Sequence, residues 1–371
     1  MPTFKMTVRG CTETTASVVS PAPREVWREV LDADPGATAL QTPNYFAAVV
    51  RCTGGRDASR LYLLPDGRRL ILPLVRLRST PGLPVLADFP GGFGHGSLLA
   101  TNGLQADDVR TVVNDLRRYV LSARLGGGHH TAEQWAAGLS PGVGEVPRRV
   151  DVIDLDGGWQ DVFGRGFSRS ARYNVRKAER AGVEVERDTS GRLVPVFYSL
   201  YLAWLDRWIP RCGLPPAIAR NSALRQEPRR KFETVAAMLA DECRVFVAWH
   251  RGRPVASCIT LVHGQHAIGW RSYSIKELAA PVCANNLVQA RAVADACEAG
   301  CRFFDLGQSG DVASLLSYKS SLGSTPRRVV DLRIERPAVR YVRSLKDSAQ
   351  RIMVGALARG SDQALRDPGT S

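Results

Sequence analysis

Lysine is scarce in this chain. Six of its 50 basic residues are Lys (Lys5, Lys177, Lys231, Lys276, Lys319 and Lys346) and all the others are Arg. Cysteine pairing is absent too: none of the eight cysteines forms a CxxC pair, and the nearest two, Cys297 and Cys301, have no histidine close by. That excludes a zinc knuckle or a disulfide framework, leaves no metal ligands to assign, and fits a reducing cytosol. No apolar run approaches the ~20 residues of a membrane span, and no charged-then-apolar leader opens the chain, so a soluble, cytoplasmic protein is expected. Nor does any Ser or Cys sit on a recognisable nucleophile turn. His95, His129, His130, His250, His263 and His266 fall in turns, strand ends or loops, and no catalytic triad can be assembled.

What is present is positive charge and enough apolar residue for two ordinary domains. The 371 residues are 44% hydrophobic and carry a formal net charge of +14. The sign points to an anionic partner: nucleic acid, a phosphorylated metabolite, coenzyme A or an anionic membrane surface. Where Arg serves almost every surface cation, a lysine beside an aromatic ring stands out. Tyr318-Lys319 lies within Ser317-Tyr318-Lys319-Ser320-Ser321-Leu322-Gly323. A compact ammonium suits a developing oxyanion better than a planar guanidinium does. A solvated surface lysine is the plain alternative. Upstream, Phe303-Phe304-Asp305-Leu306-Gly307-Gln308 reads as a short strand closing on a turn.

The pattern divides the chain into units at 15–149 and 150–336, with a tail at 337–371. In the first, a helix is expected from Pro23 to Arg51, a hairpin pairing Leu61–Leu64 with Leu70–Leu77 about Pro65-Asp66-Gly67, and a helix from Ala106 to Arg124. The glycine-rich Phe89 to Gly96 stretch lacks a strand-into-helix context, so it reads as a backbone turn before a phosphate cradle. The second unit opens with a strand from Val150 to Leu155. Helices over Trp159–Ala181, Leu193–Trp208 and Gln226–Asp241 follow. Strands at Arg244–Trp249, Pro254–Val262 and His266–Tyr273 come next, then a helix from Asn285 to Ala299, the Phe303 strand, a short helix over Val312–Tyr318 and a strand from Arg327 to Glu335. An antiparallel meander among helices, then a helix and a further strand, is an α+β layout of the GNAT N-acyltransferase type. The tail offers Val339, Val342, Leu345, Ala349, Ile352 and Ala356 at helical spacing, an amphipathic helix over Pro337 to Ala358.

Two side-chain constellations invite a ligand. Arg165, Arg169, Arg172, Arg176 and Arg180 recur at three and four, one stripe along the Trp159 helix, opposite Phe163, Phe167, Ala171, Val175 and Ala178. The stripe is either a solvated face or a rail for phosphates. The next helix presents Phe197, Tyr198, Tyr201, Trp204 and Trp208, either core or a stacking surface for bases beside guanidinium groups.

These residues resemble the GNAT-related superfamily of Fem-type aminoacyl-tRNA-dependent peptidyltransferases and their acyltransferase relatives. The resemblance rests on Arg172-Tyr173-Asn174-Val175-Arg176-Lys177-Ala178-Glu179-Arg180-Ala181-Gly182-Val183, on Gly213-Leu214-Pro215-Pro216, and on the Phe304-Asp305-Leu306-Gly307 and Tyr318-Lys319 to Gly323 pair. It covers about 150–335, more weakly 25–125. It implies an α+β fold of two GNAT-like (acyl-CoA N-acyltransferase-like) units, the second larger and better defined. It also implies transfer of an aminoacyl group from aminoacyl-tRNA to the amine of a small metabolite or peptide, with the tRNA 3′ end as partner and no resident cofactor. By resemblance Lys319 is the oxyanion partner, with Asp305 as the second catalytic residue. Donor and substrate contacts are expected from Arg169, Arg172, Tyr173, Arg176, Tyr201, Trp204, Trp270, Tyr273, Gln308 and Tyr318.

Two departures from the family matter. No long coiled-coil insertion lies between 209 and 244, which argues against a peptidoglycan acceptor. The competing donor, acyl-CoA, is ordinarily held by an Arg/Gln-x-x-Gly-x-Gly/Ala loop at a helix start. Arg51-Cys52-Thr53-Gly54-Gly55-Arg56 comes nearest and ends wrongly. A non-catalytic nucleic-acid or scaffold protein on this fold is the third reading.

Overall fold

A computed structural model describes residues 6–7, 16–78, 84–87, 89–90, 92–94, 96–139, 142–310 and 312–341. Gly91 and His95 of the glycine stretch, and the expected tail helix beyond Tyr341, lie outside them.

The fold is α+β, with two units sharing one long sheet. Among the described residues that sheet has 11 strands. One half is the meander Glu184–Asp188, Cys243–His250, Arg253–His263 and His266–Ser274, with antiparallel pairing throughout. Phe303–Asp305 then joins His266–Ile268 in parallel. Gly144–Asp154 follows, paired with Phe303–Asp305 on one side and with the closing strand Thr325–Glu335 on the other. Thr325–Glu335 in turn pairs with Ser122–Gly126 of the first unit. This closing strand therefore stitches the two units together, and Leu332, Ile334 and Val330 bury themselves beside Leu125 and Trp135. A separate five-stranded sheet carries the hairpin Arg60–Leu63 and Arg69–Leu72.

Several expected elements are interrupted, each for a local reason. The single helix read over Pro23–Arg51 is two, Arg24–Ala33 and Pro43–Thr53. Pro35 pushes Asp34 to extended backbone, and Pro43 restarts the helix at its first position, where Thr42 Oγ1 accepts the Tyr45 N–H at 3.2 Å. The helix read over Gln226–Asp241 begins only at Arg229 and ends at Leu239, because Pro228 separates it from a preceding helix, Pro216–Gln226, that the sequence reading did not expect. Pro73 breaks the strand read over Leu70–Leu77 into Arg69–Leu72 and Val75–Arg78, which enter different sheets. The Ala106 helix ends at Tyr119, because Ser122–Gly126 is drawn into the sheet by a partner two hundred residues away in sequence.

The helix read over Trp159–Ala181 changes most. Gly158–Asp161 runs into a π-helical stretch at Val162–Gly166, Phe167 is extended, and a new helix spans Arg169–Arg180. Glycines at 164 and 166 weaken the first helix. Ser168 caps the second, its Oγ accepting the Ala171 N–H at 3.1 Å. Arg165 therefore stands apart from the other arginines and pairs with Asp161 at 2.9 Å. The apolar face survives the break: Phe167, Ala171, Val175 and Ala178 are all buried against the Ala284–Glu298 helix and the meander.

Candidate active site

The site grows from one feature of the sheet. Phe303–Asp305 pairs with His266–Ile268 and stops there, while the neighbouring strand continues to Ser274. Past that point the two parallel strands part. On the other side of the same strand lies a bulge: Thr260 faces Gly269 and Ile259 faces Arg271, so Trp270 has no counterpart. An extra residue bends a strand and re-aims its side chains. Gly269 lets the strands run close, since a Cβ there would lie 3.3 Å from the Phe304 ring.

The opening is a cavity of about 940 Å³ between the two units. Of the residues expected from the sequence, Asp305, Gln308, Tyr318, Lys319, Trp270, Tyr273 and Trp204 all line it. Arg169, Arg172, Tyr173 and Arg176 do not line it, and neither does Tyr201, which is buried with its hydroxyl donating to the Ala223 carbonyl at 3.1 Å. Arg169, Tyr173 and Arg176 are exposed on the Ser168-capped helix. Arg172 is occupied locally, donating to the Gly164 and Phe167 carbonyls at 2.6 and 2.5 Å. The start of that helix nonetheless adjoins the site, because the Ser168 N–H donates to the Ser321 carbonyl at 2.8 Å.

Lys319 is held on the Ala313–Ser321 helix with its side chain buried. Its Nζ donates to the Gly307 carbonyl at 2.7 Å and lies 3.8 Å from Asp151 Oδ2. Burial lowers its pKa, opposed by the Asp151 and Asp305 carboxylates. Asp151 is itself saturated: Ser309 Oγ donates to it at 2.7 Å and Arg149 at 3.1 Å. Asp305 Oδ1 accepts the Gly307 N–H at 2.6 Å, which sets the turn at Gly307, φ +72°. Burial pushes the Asp305 carboxyl up to about 6. Tyr318 points away from Lys319, its hydroxyl donating to the Asn285 carbonyl at 3.0 Å.

Across the cavity, Gly92 and Arg271 of the lining rest on residues that no sequence motif marked. Lys231, fully buried, donates to the Gly92 carbonyl at 2.7 Å and to Glu227 at 3.0 Å, beneath the Phe93 ring at 4.3 Å. Desolvation brings its pKa down to about 8. Arg271 shares both partners, binding Glu227 at 2.7 Å as well as the Gly92 carbonyl. Gly92 thus turns its carbonyl toward two cations, the reverse of a phosphate cradle. Trp270 Nε1 and Ser97 Oγ are buried without hydrogen-bond partners in the cavity wall. Tyr273, Trp204 and Trp208 form a ring wall, with Trp204 stacked on Trp208 at 5.9 Å. The Thr53 candidate for a pyrophosphate loop is the end of a helix, closed by Gly54 in left-handed conformation. It offers carbonyls, so it is unsuited to an anion.

Residues 165–320 match the acetyltransferase (GNAT) domain family. The fold of the whole chain is similar to the crystal structure of FemX, with TM-score 0.60 and 12% identity over 89% of this chain and 99% of that one. It is also similar to a conserved protein of unknown function from Bacteroides thetaiotaomicron, with TM-score 0.54 and 9% identity over 85% and 98%. No curated protein matches the sequence. The GNAT match lies wholly within the second unit. The likeness to FemX is one of fold and extends over both units. No helix among the described residues is long and apolar enough to cross a membrane.

Proposed function

We propose that this protein transfers an aminoacyl group from aminoacyl-tRNA to the amine of a small metabolite or peptide. The observation that carries the reading is Lys319: a buried ammonium, fixed by the Gly307 carbonyl at 2.7 Å, where the parting strands open the cavity. An acceptor amine attacks the ester carbonyl of the donor, forming the new C–N bond and an oxyanion that the Lys319 ammonium stabilises. The C–O bond to the terminal ribose then breaks, and the ribose hydroxyl leaves with a proton. Asp305, the carboxylate lining the same cavity, receives the proton shed by the attacking amine and returns it to the departing ribose oxygen. No covalent enzyme intermediate is needed, only positioning, a proton acceptor and charge stabilisation.

Three features favour tRNA as the donor. The formal charge is +14. The likeness in fold to FemX extends across both units. The pyrophosphate loop of acyl-CoA enzymes is missing from the sequence. Arg169 and Arg176, exposed on the Ser168-capped helix, are suitable partners for the donor's phosphates. Trp204 and Tyr273 offer rings on which the terminal adenine can stack.

The deciding assay supplies charged tRNA pools and acetyl-CoA in parallel to an amine panel, with products read by mass. Amide products from charged tRNA are expected. Products from acetyl-CoA alone would overturn the donor assignment and leave an acyl-CoA-dependent N-acyltransferase.

A further inference from the structure

We propose that His129, His130 and His266 form a three-imidazole binding site for a divalent transition-metal ion of the zinc class in the cavity wall. Each histidine offers one ring nitrogen, and the three nitrogens lie within 4.8 Å of one another. They come from both units: His129 and His130 from the short turn His129–Thr131, and His266 from the first position of the central strand His266–Ser274.

Two of the three rings carry an unpaired nitrogen. His129 Nε2 and His130 Nδ1 are buried without a hydrogen-bond partner. Buried polar atoms are nearly always paired, so two orphans on adjacent rings ask for a ligand. His266 is half committed, one N–H donating to the Pro35 carbonyl, which leaves its other nitrogen a lone pair. His129 turns Nδ1 toward Asp305 Oδ2 at 3.8 Å. A carboxylate behind a histidine is the usual support for a metal-binding imidazole.

His130 is held by its surroundings. A Cβ at Gly36 would lie 2.5 Å from His130 Cδ2 and Nε2, and one at Gly128 would lie 2.8 Å from Cε1. The ring is clamped between two glycine backbones. Arg327 near His129 and Arg302 near His266 oppose a cation, but Arg302 is paired with Asp156 at 3.2 Å.

Neutral imidazoles suit zinc, cobalt, nickel or copper and not magnesium or calcium. At metal–nitrogen distances of ~2.0–2.1 Å, tetrahedral ligands stand about 3.3 Å apart, so small ring rotations close the site. Three protein ligands leave a fourth position toward the cavity for water or for a donor atom of a bound small molecule.

The test uses the full-length, untagged chain, stripped with chelator, and requires neither donor nor acceptor. Its outcome is therefore independent of the transferase reading. Cobalt(II) is titrated and the visible absorption of tetrahedral cobalt followed, then zinc is added in competition. One saturating equivalent is expected, displaced by zinc and untouched by magnesium. His266→Asn and His130→Gln should each weaken binding at least tenfold. Gly128→Ala, whose backbone (φ −78°, ψ 160°) tolerates alanine, should do so by displacing the ring while melting stays cooperative. Absence of a saturable cobalt spectrum in the wild type, or an unchanged affinity in His266→Asn, overturns the proposal.

Discussion

Gly323 and Gly166 touch backbone to backbone: a Cβ added at Gly323 would sit 2.7 Å from the Gly166 carbonyl oxygen. Gly323 also has φ +80°, the left-handed region. The close approach locks the end of the helix bearing Lys319 against the loop that leads into the arginine helix, two stretches that look unrelated in sequence. Gly323→Ala therefore meets both backbone strain and a clash. It should cost about 2–5 kcal/mol and reduce turnover as Lys319 shifts. Thermal melting and steady-state rates check this together, and a variant that melts and turns over like the wild type would disprove the lock.

Lys319→Ala should lower kcat by roughly 10²-fold or more with little change in donor KM, the pattern for an interaction made only in the transition state. Lys319→Arg should not restore the rate, because a planar fork does not fit the buried position occupied by a single Nζ. If instead KM rises at constant kcat, Lys319 binds the donor and does not act on the transition state.

The exposed and the occupied arginines should separate in experiment. Arg169→Glu with Arg176→Glu should weaken tRNA binding and reduce its salt slope by about one for each phosphate left without its cation, while stability is unchanged. Arg172→Ala should act on stability, by about 1–3 kcal/mol, since its guanidinium holds the Gly164 and Phe167 carbonyls. Equal salt slopes for the wild type and the double variant would make the rail a merely solvated face.

Lys231 should leave a signature in stability against pH. It lies among Glu227, Arg271, the Gly92 carbonyl and the Phe93, Phe232 and Trp270 rings, and desolvation takes its pKa from 10.5 to about 8. Between those values the unfolded chain binds the proton and the folded chain does not, so folding gains as pH rises. Below about pH 8 the cost of the buried charge is fully present. The stability of the wild type relative to Lys231→Met should therefore increase from about pH 8 to about 10.5, measured by denaturant titration. A flat or falling difference would show that the lysine stays charged through this range.

The sequence by itself determined the order of elements in the second unit, the meander, the strand ending at Asp305 and the helix carrying Lys319. Each of these is written locally, in alternation, helical spacing or a turn glycine. It also determined the apolar face of Phe167, Ala171, Val175 and Ala178, which is buried although the helix beneath it breaks. Proline and capping signals placed the breaks at Asp34 and Ser168, and they are legible once propensity is weighed against period. Only the tertiary structure decided the rest of the site. It drew Ser122–Gly126 into a strand through Thr325–Glu335, set Lys231 and Arg271 on one carboxylate, and gathered His129, His130 and His266 around one point. Those groupings depend on register and on packing between the two units, and no local period encodes which distant residue will face which. The same physics divides the aromatic row: Trp204 reaches the cavity while Tyr201 is buried, since helical spacing gives a shared face but not what packs against it.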